Sequence, residues 1–267
     1  MISIPLIKKE SKSTWKLFVI FIAVLLLYVT IILSMFDPEM GELLAQYEEA
    51  MPGIMGAIGM QGGNTSDLTS FTASYLFGFI MVLFPMLFSI ILSNRLIAKY
   101  VDNGSMAYVL ASPNSRRKIV VTQALFLILS NALLVTIITA VAIAYAGSTF
   151  PGELDIVKYI LLNIGAYGLI ITISGLGFFA SCISNDMKLS YSISAGIPVA
   201  GYIIQMLANQ GDKFENLKYA TFFTLFSPNK IVAGDSEAIW MLAVLFAIGL
   251  FLYGLGCWMF CRRNLPL

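Results

Sequence analysis

The sequence predicts an all-α, polytopic membrane protein with six transmembrane helices, and two observations carry that prediction. Six stretches hold no charged residue: 17–36, 68–94, 119–152, 159–185, 189–211 and 238–261. A hydrocarbon core of roughly 30 Å needs about 20 apolar residues in a helix, so each is long enough to cross. A charge at the bilayer centre costs about 2.5–3.5 kcal/mol, so a membrane would impose such windows. The second observation is composition: 58% of the residues are hydrophobic and only 12% are charged. A soluble domain carries about twice that charged fraction.

Within these windows the membrane helices are expected at 17–36, 71–94, 119–147, 159–182, 189–209 and 238–260. They make one transmembrane domain over 1–267, and no loop can hold a separate globular domain. The first apolar run, Leu17 to Phe36, is longer than a signal-peptide core and meets Asp37-Pro38 without a small-residue cleavage pair. It is expected to stay as the first span.

Lys and Arg accumulate on the cytoplasmic side of short loops. Lys8, Lys9, Lys12 and Lys16 precede span 1, and Arg95, Lys99, Arg116, Arg117 and Lys118 lie between spans 2 and 3. Lys188 links spans 4 and 5, and Arg262 and Arg263 come after span 6. These are twelve of the sixteen basic residues. Both termini are therefore expected in the cytoplasm. Loops 37–70 and 210–237 are then extracellular. The first holds Asp37, Glu39, Glu42, Glu48, Glu49 and Asp67 and no basic residue.

Residues 1–16 mix Ile2, Ile4, Leu6, Ile7 and Trp15 with four lysines. That pattern suits an amphipathic segment lying on the inner leaflet. In the first outer loop, Pro38–Ala50 is helix-prone and Met51-Pro52-Gly53 breaks it, which predicts a short helical hairpin. Its carboxylates read as solvated. Pro85 in span 2 and Pro198 in span 5 each remove a backbone hydrogen bond and permit a kink. Gly165, Gly168, Gly175 and Gly177 in span 4 permit close helix approach. In the last outer loop, Tyr219–Phe226 is apolar but too short to cross, and Ser227-Pro228 stops it. A re-entrant or interfacial helix is expected there.

Chemistry is conspicuous by omission. There is no phosphate-binding glycine-rich loop ending in Lys-Ser/Thr, so this chain is not expected to bind ATP that way. No His exists, and Cys257 and Cys261, one turn apart, make a poor zinc site by themselves. With Cys182 they read as small packing residues, and no metal site is expected. No span carries Asp, Glu, Lys or Arg, which argues against an enzyme and against a self-powered ion-coupled transporter. A membrane subunit driven from outside, a channel or a scaffold remains. A channel would need a polar ring along one helix face, and no span shows a strong one.

The 95–118 segment is the informative loop. Asp102-Asn103 supplies a cap and a turn, Ser105–Ala111 a helix of about two turns, and Ser112-Pro113 its end. Asn114-Ser115 can cap the next helix. Met106, Tyr108, Val109 and Leu110 are expected to be partly exposed beside basic residues, as a docking surface would be.

The run Gly104-Ser105-Met106-Ala107-Tyr108-Val109-Leu110-Ala111-Ser112-Pro113-Asn114-Ser115-Arg116-Arg117 resembles the loop of ABC-2 type transporter permeases. Their pattern is approximately Glu-x-Gly-Thr/Ser-x-x-x-Leu-Leu-x-x-Pro-Val/Ile-Ser-Arg. The six-span layout, the long first outer loop, the basic amphipathic N-terminus and the short apolar segment before span 6 extend the resemblance over the whole chain. Asp102-Asn103 replaces the family's Glu, and Asn114 its aliphatic residue. The resemblance implies a type V exporter-like fold and a coupling helix at Asn103–Ser112, with Arg116 and Arg117 beside it. That helix would dock in a separate ABC ATPase, two copies of which would bind ATP and Mg; this chain itself would hold no cofactor. It also implies a second permease unit, identical or different, with spans 2 and 5 lining the path between the two. The lining would be Phe71, Tyr75, Phe79 and Pro85 of span 2, and Tyr191, Ser194, Pro198, Tyr202 and Gln205 of span 5. These uncharged residues suit an amphipathic substrate such as a peptide of the phenol-soluble-modulin kind, or a lipid-like or drug-like molecule. Sodium or drug efflux, and a peptide-sequestering scaffold or immunity factor without turnover, are the alternatives. A bacterial plasma membrane is the expected location, with membrane lipid and no nucleic acid among the partners.

Overall fold

The computed structural model describes residues 2–37, 67–111, 115–210 and 212–263. Six helices are long and apolar enough to cross a membrane: Ile4–Ser34, Leu68–Asp102, Arg116–Thr149, Ile156–Ile183, Met187–Ala208 and Ser236–Arg262. They are called spans 1 to 6. The chain is thus an all-α, multi-pass membrane protein. The helices run past the charge-free windows because polar caps in the flanks extend them. Asp67 accepts from Ser70 N at 3.1 Å, Asp155 from Val157 N and Lys158 N, and Asp186 from Leu189 N at 2.7 Å. The expected hairpin in the first outer loop falls outside the described residues.

Span 1 corrects the expectation for the N-terminus. Residues 4–34 form one unbroken helix opened by Pro5 in its first turn, about 46 Å long at 1.5 Å per residue. The lysine-bearing turns therefore continue the span rather than lying flat on a leaflet. The reason is packing: Ser3, Leu6, Glu10 and Thr14, at helical spacing, are buried. Ser3 N donates to Thr122 Oγ1 of span 3 at 3.1 Å.

Contacts fix the arrangement of the ends. One end joins Ser3 to Thr122, Asp102 to Met187, and Arg263 to Cys182. The first and last described residues, 2 and 263, and most basic residues lie there, and we call it the basic end. The far end joins Ser34 to Tyr145 at 2.6 Å, Thr69 to Asp155 at 2.9 Å, and Phe36 to Phe150 ring to ring.

Spans 4 and 6 form the tightest pair. A Cβ added at Gly249 would sit 2.6 Å from Ile171 Cγ2 and 2.8 Å from the Ile171 carbonyl; one added at Gly175 would sit 2.7 Å from Gly249 O. Backbones approach this closely only where no side chain intervenes. Tyr253 OH donates to Ser174 Oγ at 2.8 Å and Thr172 Oγ1 to Leu245 O at 2.7 Å, adding polar ties across the same seam. Gly168 faces Phe246, Gly177 faces Ser93 of span 2, and Gly165 meets Phe226 of the last outer loop. All four span-4 glycines thus stand at close contacts, and Gly249 of span 6 is the partner of Gly175.

Trp240 and Trp258 both lie on the exposed face of span 6. Eighteen residues, or five turns, put them on one stripe about 27 Å apart. That matches an aromatic residue at each interface of a bilayer. The guanidinium of Arg262 stacks over Trp258 at 4.5 Å.

Span 2 is interrupted. Leu76–Ile80 is a π-helical turn, just before Pro85 in the helix Met81–Leu96. A π turn inserts one residue and rotates the next part of the helix by about 100° relative to a regular one. The loop before span 6 is built from short helices: Asp212–Ala220 and Phe222–Leu225 are 3-10 helices. The apolar stretch ends before Ser227-Pro228, and Pro228 then opens the helix Pro228–Ala233, where its missing N–H costs nothing. Gly234 ends that helix at φ +77, a conformation that favours glycine.

Candidate functional site

The basic end presents the loop helix. After Ala98–Asp102 the chain turns at Asn103-Gly104, with Gly104 at φ +71. Asn103 Oδ1 accepts from Ser105 N at 3.0 Å and Ser105 Oγ at 2.5 Å, which sets the turn. The helix Met106–Leu110 comes next, shorter than the Ser105–Ala111 expected. Ser112, Pro113 and Asn114 lie outside the described residues. Ser115 accepts from Lys118 N at 3.2 Å and caps span 3.

The faces of this helix sort the expected docking residues. Tyr108 is 83% exposed, whereas Met106 is 3% exposed and belongs to the core. Residues two positions apart on a helix are separated by about 200°, so if one points out the other points in. The expectation that Met106 is exposed is therefore corrected. Val109 and Leu110 are half-buried, and both pack against the hydrophobic core. Of the two arginines, Arg117 is exposed. Arg116 is half-buried, with Nη1 donating to Arg263 O at 2.9 Å. Arg263 in turn donates through Nη1 to Cys182 O at 2.7 Å and through Nη2 to Asn185 Oδ1.

The turn that leads into the loop helix, Ala98–Asp102, is tied to spans 1 and 5. Asp102 Oδ1 accepts from Met187 N, the first residue of span 5, at 3.2 Å. Tyr100 OH donates to Glu10 Oε1 of span 1 at 2.8 Å, and Gln123 Nε2 of span 3 donates to the same oxygen at 3.1 Å. Glu10 is only 2% exposed, and Lys9 Nζ lies 4.7 Å from the Tyr100 ring centre. Sequence reasoning did not single out Glu10 within the lysine-bearing N-terminal segment. The missed signal was its position in the stripe Ser3, Leu6, Glu10, Thr14.

A groove of about 470 Å³ beside the loop helix is lined by Ser3, Pro5, Leu6 and Lys9 of the N-terminal turns and by Ser105, Tyr108, Val109 and Ile119. The N-terminal residues were not among those expected at this surface.

Glu10 yields a first prediction. Glu10→Ala leaves the Tyr100 hydroxyl and the Gln123 amide unpaired, at a cost of about 1–3 kcal/mol for each buried group. Glu10→Gln keeps an acceptor for both and adds an N–H beside Gln123 Oε1, which has no partner among the described residues. Thermal unfolding of the detergent-solubilised protein should show a clear loss for Glu10→Ala and little change for Glu10→Gln.

The residues expected along spans 2 and 5 take part in several separate contacts within the chain. Phe71 and Tyr75 pack together at 4.6 Å, and Phe71 meets Phe36 of span 1 at 5.6 Å. Phe79, beyond the start of the π turn, instead faces Tyr202 of span 5 at 6.5 Å. Pro85, Pro198, Phe71 and Ser194 are buried within this one chain. Ser194 Oγ accepts from Asn94 Nδ2 at 2.7 Å, which joins spans 2 and 5 near the basic end. Tyr75, Phe79, Tyr191 and Gln205 remain partly exposed.

Toward the far end these spans enclose a cavity of about 50 Å³, walled by Ser74, Phe77, Gly78, Tyr202, Gln205 and Phe223 among others. Tyr202 is buried, and its hydroxyl has no partner among the described residues. Gln205 donates to Asn209 Oδ1 at 3.0 Å and accepts from Thr224 Oγ1 at 2.7 Å, clamping the outer 3-10 segment onto span 5. An adjoining groove of about 410 Å³ includes Lys218, Lys230 and Glu237. Lys230 donates to Glu237 at 2.9 Å, and that bond raises the lysine above its ordinary range.

A six-span bundle with a braced, exposed loop helix at one end is the layout of a transport permease. The family model described as ABC-2 family transporter protein matches residues 6–265, and the chain belongs to that family. It is the permease subunit of an ABC transporter, a membrane transport component rather than a catalytic one, and the family works with an ABC ATPase. None of the curated proteins and none of the solved structures matches the chain.

Proposed function

We propose that this permease exports an amphipathic substrate, driven by a separate ATPase that docks on the 103–117 loop. The observation that carries this reading is Tyr108: a large aromatic side chain, 83% exposed, on a short helix whose Met106 is buried in the core and which follows a turn bonded to spans 1 and 5. An aromatic residue so presented is the kind that anchors an interface. Two ATPase copies bind ATP and Mg and close on each other. Their movement displaces the loop helices of two permease units, which are identical or different chains. Differential contact between ATPase and loop in the two states is the thermodynamic requirement.

The lysine distribution supports placing the basic end, with both termini, in the cytoplasm of a bacterial cell. The uncharged residues expected along spans 2 and 5 support a substrate that is apolar in bulk with hydrogen-bonding groups, such as an amphipathic peptide or a lipid-like or drug-like molecule. They carry no ionised group of the kind that marks an ion pathway.

The test is affinity purification from the native membrane, with wild type and Tyr108→Asp in parallel. Recovery of an ABC ATPase with wild type and its loss from the variant is the expected result. Failure to recover any ATPase with wild type would overturn the coupling. In reconstituted vesicles, an amphipathic helical peptide should stimulate ATP hydrolysis and sodium should not. Peptide retention without ATP turnover would favour the sequestering factor instead.

A further inference from the structure

We propose that the cleft between spans 1, 2 and 3 near the basic end is a binding site for one acyl chain of an anionic phospholipid. This rests on the membrane placement of the spans and not on the transport reading. The cleft has a volume of about 340 Å³. Its walls from spans 2 and 3, with Phe18 of span 1, are Phe88, Leu92, Phe126, Leu129 and Leu133, with Ser130 among them, its hydroxyl turned back to donate to Phe126 O. Leu129 and Leu133 are 61% and 52% exposed, so the cleft opens sideways, toward lipid, rather than into the bundle.

The composition changes along the helix axis. Toward the basic end the span 1 wall becomes Ile7, Ser11, Thr14 and Trp15. Trp15 is 55% exposed, as an interfacial tryptophan would be. Lys8 and Lys12 are exposed on the adjoining stripe of the same helix, within one or two turns of Trp15. An apolar slot below, a tryptophan at the boundary and two free-standing cations above match a phospholipid in order: acyl chain, glycerol level, anionic headgroup.

Continuity of span 1 makes the site possible. Were residues 2–16 lying flat on the leaflet, the wall from Ile7 to Phe18 would not stand upright beside spans 2 and 3.

The experiment uses the full chain in detergent, titrated with phosphatidylglycerol or phosphatidylcholine and read by native mass spectrometry. Wild type should retain phosphatidylglycerol in preference to phosphatidylcholine. Lys8→Gln with Lys12→Gln should lower that preference by about fivefold per lysine without abolishing retention. Ser130→Phe, which fills the slot, should abolish retention of both lipids. Equal retention of the two lipids by wild type overturns the headgroup assignment, and full retention by Ser130→Phe overturns the location.

A second measurement needs no change in the cleft. With Trp240→Phe and Trp258→Phe, Trp15 is the one tryptophan left, and phosphatidylglycerol brominated in mid-chain should quench its emission at substoichiometric detergent-normalised lipid. Unquenched Trp15 overturns the proposal, whether the slot is empty or a second copy of the chain covers it.

Discussion

Tyr108→Asp is expected to weaken association with the ATPase by about 30-fold or more, the effect of losing an aromatic interface anchor. The permease itself should fold normally, because the side chain is 83% exposed and the substitution removes little intramolecular packing. Met106→Asp is expected to behave in the opposite way. It places a carboxylate in the core at a position only 3% exposed, so folded protein should be lost before docking can be measured. Quantitative pull-down and monodispersity by size exclusion, run on both variants, separate the two effects. If Met106→Asp were well folded and Tyr108→Asp were not, the orientation of the loop helix would be wrong.

Gly249→Leu is expected to destabilise the protein by on the order of 3 kcal/mol or more, by overpacking. Its first new carbon would meet the Ile171 side chain and backbone at 2.6–2.8 Å, and backbone cannot yield as a flexible side chain can. Gly254→Leu, five residues on, meets nothing within 4 Å and should be close to neutral. Thermal unfolding of the two detergent-solubilised variants makes the comparison, since helix propensity favours leucine equally at both sites. A similar fall for both would show that the span 4–span 6 seam is not tight.

The features legible in the sequence are those the solvent imposes. Lipid excludes ionised groups, so the spans were visible as charge-free windows. The caps at Asp67, Asp155, Asp186 and Ser115 use residue types that report helix starts directly. The loop helix was legible as an element but not in its orientation. Five residues carry no periodicity from which to choose a face, and Met106 points inward because of how spans distant in sequence pack around it. Glu10 was illegible for a related reason: a carboxylate among lysines suggests solvent until Tyr100 and Gln123, ninety and more residues away, are seen to converge on it. The π turn in span 2 likewise leaves no mark in hydropathy, so its place ahead of Pro85 could not be read from the sequence.

The two tryptophans of span 6 act as a ruler. Because Gly175 and Gly249 lock spans 4 and 6 together, a change in bilayer thickness cannot be absorbed by one helix sliding past the other. Matching a membrane about 4 Å thinner than the ~27 Å interval between the rings would require the pair to lean by about 30° as one body. The surrounding lipid therefore sets the tilt of the stiffest part of the molecule, and with it the angle at which Arg262 and Arg263 leave the membrane beside the span 4–span 5 link.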